Sequence, residues 1–154
     1  MRRVVGALTR LPDLQAALEA LILFLVVVAA GVWAVYAGVL QHHPMSSPRD
    51  MFVLSLSAFI VPSLGEEVVF RSWVGKGAPM AAVLSLAAYV AWHPLQAVAG
   101  LPFGRPEFLD PRVLALIAVL GLACTISRIR SGSIWPAVII HWGIVVVWKA
   151  LYAG

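Results

Sequence analysis

The chain has 154 residues, is 62% hydrophobic and is charged at only 12% of its positions, where soluble domains run at about 25%. Its mean hydropathy of +0.94 excludes an ordinary soluble domain and predicts an all-α, polytopic transmembrane helix bundle. The net charge of +4 comes from basic residues at segment ends rather than in a block, which reads as membrane topology and excludes nucleic acid as a partner.

A membrane span takes roughly 20 apolar residues, so one domain over 1–154 with five membrane helices is expected. Residues 1–16 carry Arg2, Arg3 and Arg10 with Val4, Leu8, Leu11 and Leu18 at helical spacing, which suits a short interfacial helix. The apolar run Ala20–Leu40 is too long for a secretory signal and is expected to be helix 1. His42 and His43 fall in a polar turn and read as solvated surface. Ser47 as N-cap, with Pro48 at the first helical position, opens helix 2. That helix is expected to run to Val74 with a kink at Pro62. Helix 3 starts at Pro79 and passes His93, where Pro94 removes one backbone hydrogen bond. The proline-rich stretch 100–111 is a loop, and Asp110 caps helix 4, expected to reach Ser127. Helix 5 runs from Ile134 to Tyr152. The single cysteine, Cys124, cannot form an internal disulfide.

Alternating five spans puts Arg2, Arg3, Arg10, Arg71, Lys76, Arg128 and Arg130 on one side and Arg49, Arg105, Arg112 and Lys149 on the other. The bias favours a cytoplasmic N-terminus.

Ionisable residues inside a membrane are functional candidates by default. Here they are Glu66, Glu67 and Arg71, with His93 and His141. Adjacent helical residues point about 100° apart, so the two glutamates cannot serve one point. Glu67 and Arg71 are four apart in the favourable acid-first order, and Arg71 is expected to neutralise Glu67. Glu66 is then left facing elsewhere, where His93 and His141 can meet it. Plainer readings exist. Ser63-x-x-Glu66 matches a capping box, His93 could close a helix at Pro94, and His141 could bond a carbonyl between helices. By rise along each helix, Glu66 and His141 lie roughly 13 Å from one membrane side and His93 roughly 21 Å. From this, a site is expected to open toward the side bearing Arg71.

Taken together, "EEVVFR" (66–71), "YVAWH" (89–93) and "SGSIWPAVIIH" (131–141) resemble, in order, three motifs of the CAAX protease and bacteriocin-processing family. The motif-bearing core is expected to be 48–152. The resemblance implies an intramembrane endopeptidase that hydrolyses a peptide bond in or near the membrane. Its substrate would be a membrane-associated protein or peptide: a prenyl-protein tail, a leader peptide or a sorting tail. It implies Glu66 as general base, His93 as the group that orients the water, His141 on the oxyanion-stabilising side, and Glu67, Arg71 and Tyr89 in support. The small size suggests a prokaryotic member in the bacterial inner membrane. The family usually has asparagine four residues after the last histidine, and here that place holds Val145, which cannot donate. Trp142 or a backbone group is then the expected substitute donor.

A glutamate withdrawn from water is a useful base near neutrality. Two histidines and a carboxylate also suit zinc, but the helix-borne signature HExxH is absent, so no cofactor is expected. Two other functions compete. One is a weak or inactive scaffold or immunity-type protein on the same fold, as Val145 suggests. The other is a proton or ion pathway, against which stands the lack of repeats or paired broken helices.

Overall fold

The computed structural model describes residues 2–41, 44–45, 47–101 and 103–152; His42 and His43 lie outside them. Its helices are α1 (Arg2–Thr9), α2 (Leu14–Tyr36), α3 (Pro48–Ala58), α4 (Gly65–Arg71), α5 (Pro79–Val98), α6 (Pro111–Ser131) and α7 (Trp135–Tyr152). A π-helical segment, Phe59–Leu64, joins α3 to α4, and a 3₁₀ turn, Pro106–Leu109, precedes α6. Five stretches are long and apolar enough to cross a membrane: Leu14–Tyr36, Pro48–Arg71, Pro79–Val98, Pro111–Ser131 and Trp135–Tyr152. The chain is an all-α integral membrane bundle.

The boundaries follow local chemistry. Asp13 accepts a hydrogen bond from the Ala16 amide at 2.8 Å and starts α2 at Leu14, ahead of the expected Ala20. Pro12 and this cap also end the N-terminal helix at Thr9, short of residue 16. Ser47 accepts from Asp50 N and Asp110 from Arg112 N, so both expected caps form. α6 continues past Ser127 to Ser131, because the first residue able to close it in the left-handed conformation is Gly132, at φ 69°. α5 passes through Pro94 to Val98, so His93 does not close a helix.

α6 sits centrally, packed against α2, α5 and α7. Small residues allow the close approach: Ala20, Ala123, Cys124 and Ala137 share one buried cluster with Val27, Leu120 and Ile140. α1 is tied to the α6–α7 turn, since Ile134 N donates to Ala7 O, Ser133 Oγ to Arg10 O and Trp135 Nε1 to Leu8 O.

The α5–α6 crossing depends on Gly121. A Cβ there would lie 2.7 Å from Tyr89 Cδ1 and 2.8 Å from Leu86 Cδ1, and Tyr89 is fully buried. Helix propensity alone would favour alanine by about 1 kcal/mol, whereas overpacking costs about 1–3 kcal/mol. Gly121→Ala should therefore lower the unfolding midpoint in detergent. A rise would mean that the crossing is loose.

Candidate active site

The linker between α3 and α4 sets the site. Val61 leaves helical geometry (φ −133°, ψ 117°) and the Val61–Pro62 peptide is cis, so the expected break at Pro62 is present. The chain resumes as α4 with Glu66 and Glu67 in its first turn and Arg71 in its last, the charge order that the helix dipole favours. No capping box forms: Ser63 Oγ has no hydrogen-bond partner and no side chain caps this start. The expected helix end at Val74 falls back to Arg71. There the Arg128 guanidinium holds the last carbonyls, with Nε to Arg71 O at 3.2 Å and Nη2 to Ser72 O at 3.3 Å.

Glu67 and Arg71 are wholly buried and joined by a 2.7 Å bond from Arg71 Nη1 to Glu67 Oε1. The same oxygen takes His141 Nδ1 at 2.9 Å. Arg71 also reaches Gly121 O at 3.4 Å and Thr125 Oγ1 at 3.5 Å, and its guanidinium lies 4.0 Å from the Tyr89 ring centroid. Arg71, Glu67 and His141 thus form a buried chain of charge-assisted bonds. Glu67 does more than accept a neutralising partner: it fixes the His141 ring. That contact spans 74 positions, which no local spacing reveals. It also rules out a simple carbonyl contact at Nδ1 of His141.

Glu66 faces elsewhere. Its Oε2 has no hydrogen-bond partner and lies 4.0 Å from His141 Nε2. His93 Nδ1 is 2.9 Å from Tyr89 O, an acceptor, so Nδ1 carries the proton and Nε2 is left with its lone pair. The His93 ring packs edge-on between Tyr89 at 4.8 Å and Phe108 at 5.0 Å. Ser85 Oγ donates to Phe70 O at 2.7 Å, which fixes the register of α5 against α4. Tyr89 is then level with Glu66, and His93 lies one turn beyond, about 6 Å. His93 is thus offset from Glu66 along α5, and one cavity spans both levels.

That cavity, of about 240 Å³, is lined by Glu66, Tyr89, His93, His141 and Val145. It continues along the C-terminal halves of α2 and α7 to Arg105 and Lys149. It therefore opens away from Arg71, not toward the Arg71 side as the depth argument suggested. On the Arg71 side, the guanidinium pair Arg71 and Arg128 is buried under protein. Trp142 does not join the site. Its indole N–H donates to Ser55 O at 2.8 Å, which fastens α7 to α3 and uses up the donor proposed to replace asparagine. Among the described residues, no group of three His, Cys, Asp or Glu side chains is spaced to hold a metal ion.

Sequence reasoning missed Arg128, Thr125 and Trp92, which stands beside Glu66 on α5. The only signal for Arg128 was a basic residue near an apolar helix end, and that also reads as topology.

A model of the type II CAAX prenyl endopeptidase Rce1-like family matches residues 48–147, more than half of the chain and all of the residues just described around the cavity up to Val145. No curated protein and no solved structure matches.

Proposed function

The chain belongs to the type II CAAX prenyl endopeptidase Rce1-like family, and from that premise we propose that it is an intramembrane endopeptidase in which Glu66 activates the attacking water. The observation that carries this is the unpartnered Glu66 Oε2, facing His141 Nε2 across 4.0 Å at the inner end of the cavity. The separation exceeds a direct hydrogen bond, and a single water placed off the line between the atoms spans it.

The roles follow from where the protons sit. Glu66 takes a proton from the water as its oxygen bonds to the scissile carbonyl carbon. His93, with Nδ1–H committed to Tyr89 O, offers Nε2 to the water's other hydrogen and so orients it. His141, held by Glu67 through Nδ1, turns Nε2 to the cavity. Carrying a proton on Nε2 it donates to the oxyanion, and Glu67 is the carboxylate that balances it once Glu66 has taken the water's proton. Glu66 then returns the proton to the leaving amine as the C–N bond breaks. Arg71 and Tyr89 act by positioning: Arg71 fixes Glu67 and through it the His141 ring, and Tyr89 packs against the Arg71 guanidinium and the His141 ring.

No metal is needed for these steps. What supports the metal-free reading over zinc is donor spacing: among the described residues no group of three His, Cys, Asp or Glu side chains is spaced to hold a metal ion. The test is elemental analysis of purified, active protein with a chelator series. We expect substoichiometric zinc and activity unchanged by chelation. About one zinc per chain, lost together with activity, would replace this mechanism by a metalloprotease one.

Val145 supports a second reading, a catalytically weak or inactive membrane scaffold. It lines the cavity one turn beyond His141 and cannot donate. Losing one oxyanion donor typically costs 10²–10³ in rate, about 2.7–4 kcal/mol. Burying an unsatisfied amide costs about 1–3 kcal/mol. Val145→Asn should leave turnover unchanged or raise it, with little loss of thermal stability. Severe destabilisation without a gain would show that the new amide finds no polar partner there.

The substrate is a membrane-associated protein or peptide reached through the bilayer. The charge bias supports a cytoplasmic N-terminus, and we propose that the protein resides in a bacterial inner membrane.

A further inference from the structure

A second cavity lies on the membrane face that bears Arg71, away from the mouth of the first. It has a volume of about 340 Å³ and is bounded by the α1–α2 turn, the start of α2, the α4–α5 turn and the end of α6. Arg10, Asp13, Glu19, Lys76 and Arg130 supply the charges of its lining. Glu19 and Arg130 satisfy each other, with Arg130 Nε and Nη2 donating to the two carboxylate oxygens at 2.7 and 2.6 Å. Asp13 Oδ1 is committed to the Ala16 amide as the cap of α2. Arg10 and Lys76 form no ion pair among the described residues. Arg10 is also close enough to the buried Arg128 for the two charges to repel. Its guanidinium lies against the end of α6, with Nη1 3.0 Å from where a Cβ on Gly132 would stand.

The lining therefore sets three cations against two carboxylates, and the surplus positive charge belongs to the unpaired Arg10 and Lys76. Its depth is marked by its neighbours. Leu11 and Leu14, interleaved in the chain with Arg10, Asp13 and Gln15, are exposed, as is Trp73 just beyond α4. The Trp73 indole donates to Val69 O. Exposed leucines belong in the acyl layer and tryptophan at its edge, which puts the cavity at the level of the lipid phosphates. A phosphodiester carries one negative charge and matches the surplus, whereas Asp13 and Glu19 disfavour a dianion such as free phosphate. We propose that this cavity binds the phosphodiester of an anionic phospholipid, with the Arg10 guanidinium and the Lys76 ammonium as its donors. Basic pockets between membrane helices suit such headgroups. The lipid bridges the turn that follows α4 to the turn that precedes α2, and so steadies the helix bearing Glu66 and Glu67 from the face opposite the cavity mouth. The proposal goes beyond the endopeptidase reading and does not depend on it.

The test titrates the full chain, in a nonionic detergent, with dioleoylphosphatidylglycerol, dioleoylphosphatidylcholine or inorganic phosphate. Native mass spectrometry resolves one-to-one complexes. Unfolding is followed through the buried Cys124 thiol, which reacts with a fluorogenic maleimide only when exposed. Phosphatidylglycerol should bind about tenfold or more tightly than phosphatidylcholine and raise the unfolding midpoint, and inorganic phosphate should do neither. R10Q with K76Q should abolish the preference, and the charge-preserving pair R10K with K76R should keep most of it, which separates lost charge from lost folding. R49Q with R112Q, which removes two charges at the other face, should leave the preference intact. Equal binding of the two lipids would overturn the proposal, as would a preference that survives R10Q with K76Q. A preference lost equally in R49Q with R112Q would overturn it by reducing the effect to overall charge. Stabilisation by inorganic phosphate matching that by phosphatidylglycerol would overturn it by giving the cavity to a soluble anion. No readout needs turnover, so a chain that cuts nothing would sink the peptidase reading and leave this result standing.

Discussion

Arg71→Ala should give little folded protein, and what folds should melt far below the wild type. Arg71 and Glu67 are both wholly buried. Removing the guanidinium strands a buried carboxylate, frees the bond to Gly121 O and takes away the cation over Tyr89. Breaking one partner of a buried pair costs about 3–5 kcal/mol, against a total stability of about 5–15 kcal/mol for a typical protein. Arg71→Lys should recover only part of this, since an ammonium cannot reach Glu67, Thr125 and Gly121 with one fixed fork. Glu66→Gln, by contrast, alters a carboxyl whose Oε2 has no hydrogen-bond partner and should fold nearly as well as wild type. Folded yield by size-exclusion chromatography and thermal unfolding in one detergent compare the three variants. Equal stability of Arg71→Ala and Glu66→Gln would contradict the buried pair.

The contrast between these positions shows what was legible in the sequence. The Glu67–Arg71 pair could be read because helical spacing of four is a local rule. The caps at Ser47 and Asp110 and the break at Pro62 could be read for the same reason, each being fixed by a few neighbouring residues. That Glu66 would face away from the pair followed from the 100° turn between adjacent helical positions. The partner of His141 could not be read. Its bond to Glu67 depends on how α7 rotates against α4, and that depends on packing through α6, where Gly121 and Cys124 permit close approach. Trp142 was misjudged for a related reason: adjacency to His141 says nothing of where a long side chain finds a carbonyl, and the one it reached, Ser55 O, was on α3. The direction in which the cavity opens was also hidden. It follows from which residues of the C-terminal halves of α2 and α7 line the cavity, and no single residue marks that. The register of His93 needed one tertiary bond, Ser85 to Phe70, to convert residue counts into a shared level.

Glu66→Gln should also give the largest loss of activity. The change keeps size and shape and removes only the ability to take a proton. The Glu67–His141–Arg71 chain does not pass through Glu66, so the ring it holds should remain in place. General base catalysis contributes typically 10²–10⁴ in rate, and the loss should fall in kcat rather than in substrate affinity, because the carboxylate acts on the water and not on the bound peptide. His141→Ala should also remove activity, but with a stability cost that Glu66→Gln lacks, since it leaves a buried Glu67 oxygen without one of its donors. The most direct measurement is therefore the turnover and binding of one membrane-embedded peptide by wild type and by Glu66→Gln, at matched amounts of folded protein. The predicted result is unchanged binding with turnover reduced by about 10²–10⁴. Turnover by Glu66→Gln within a few-fold of wild type, with the protein folded and the peptide bound, would contradict the assignment of Glu66 as the base.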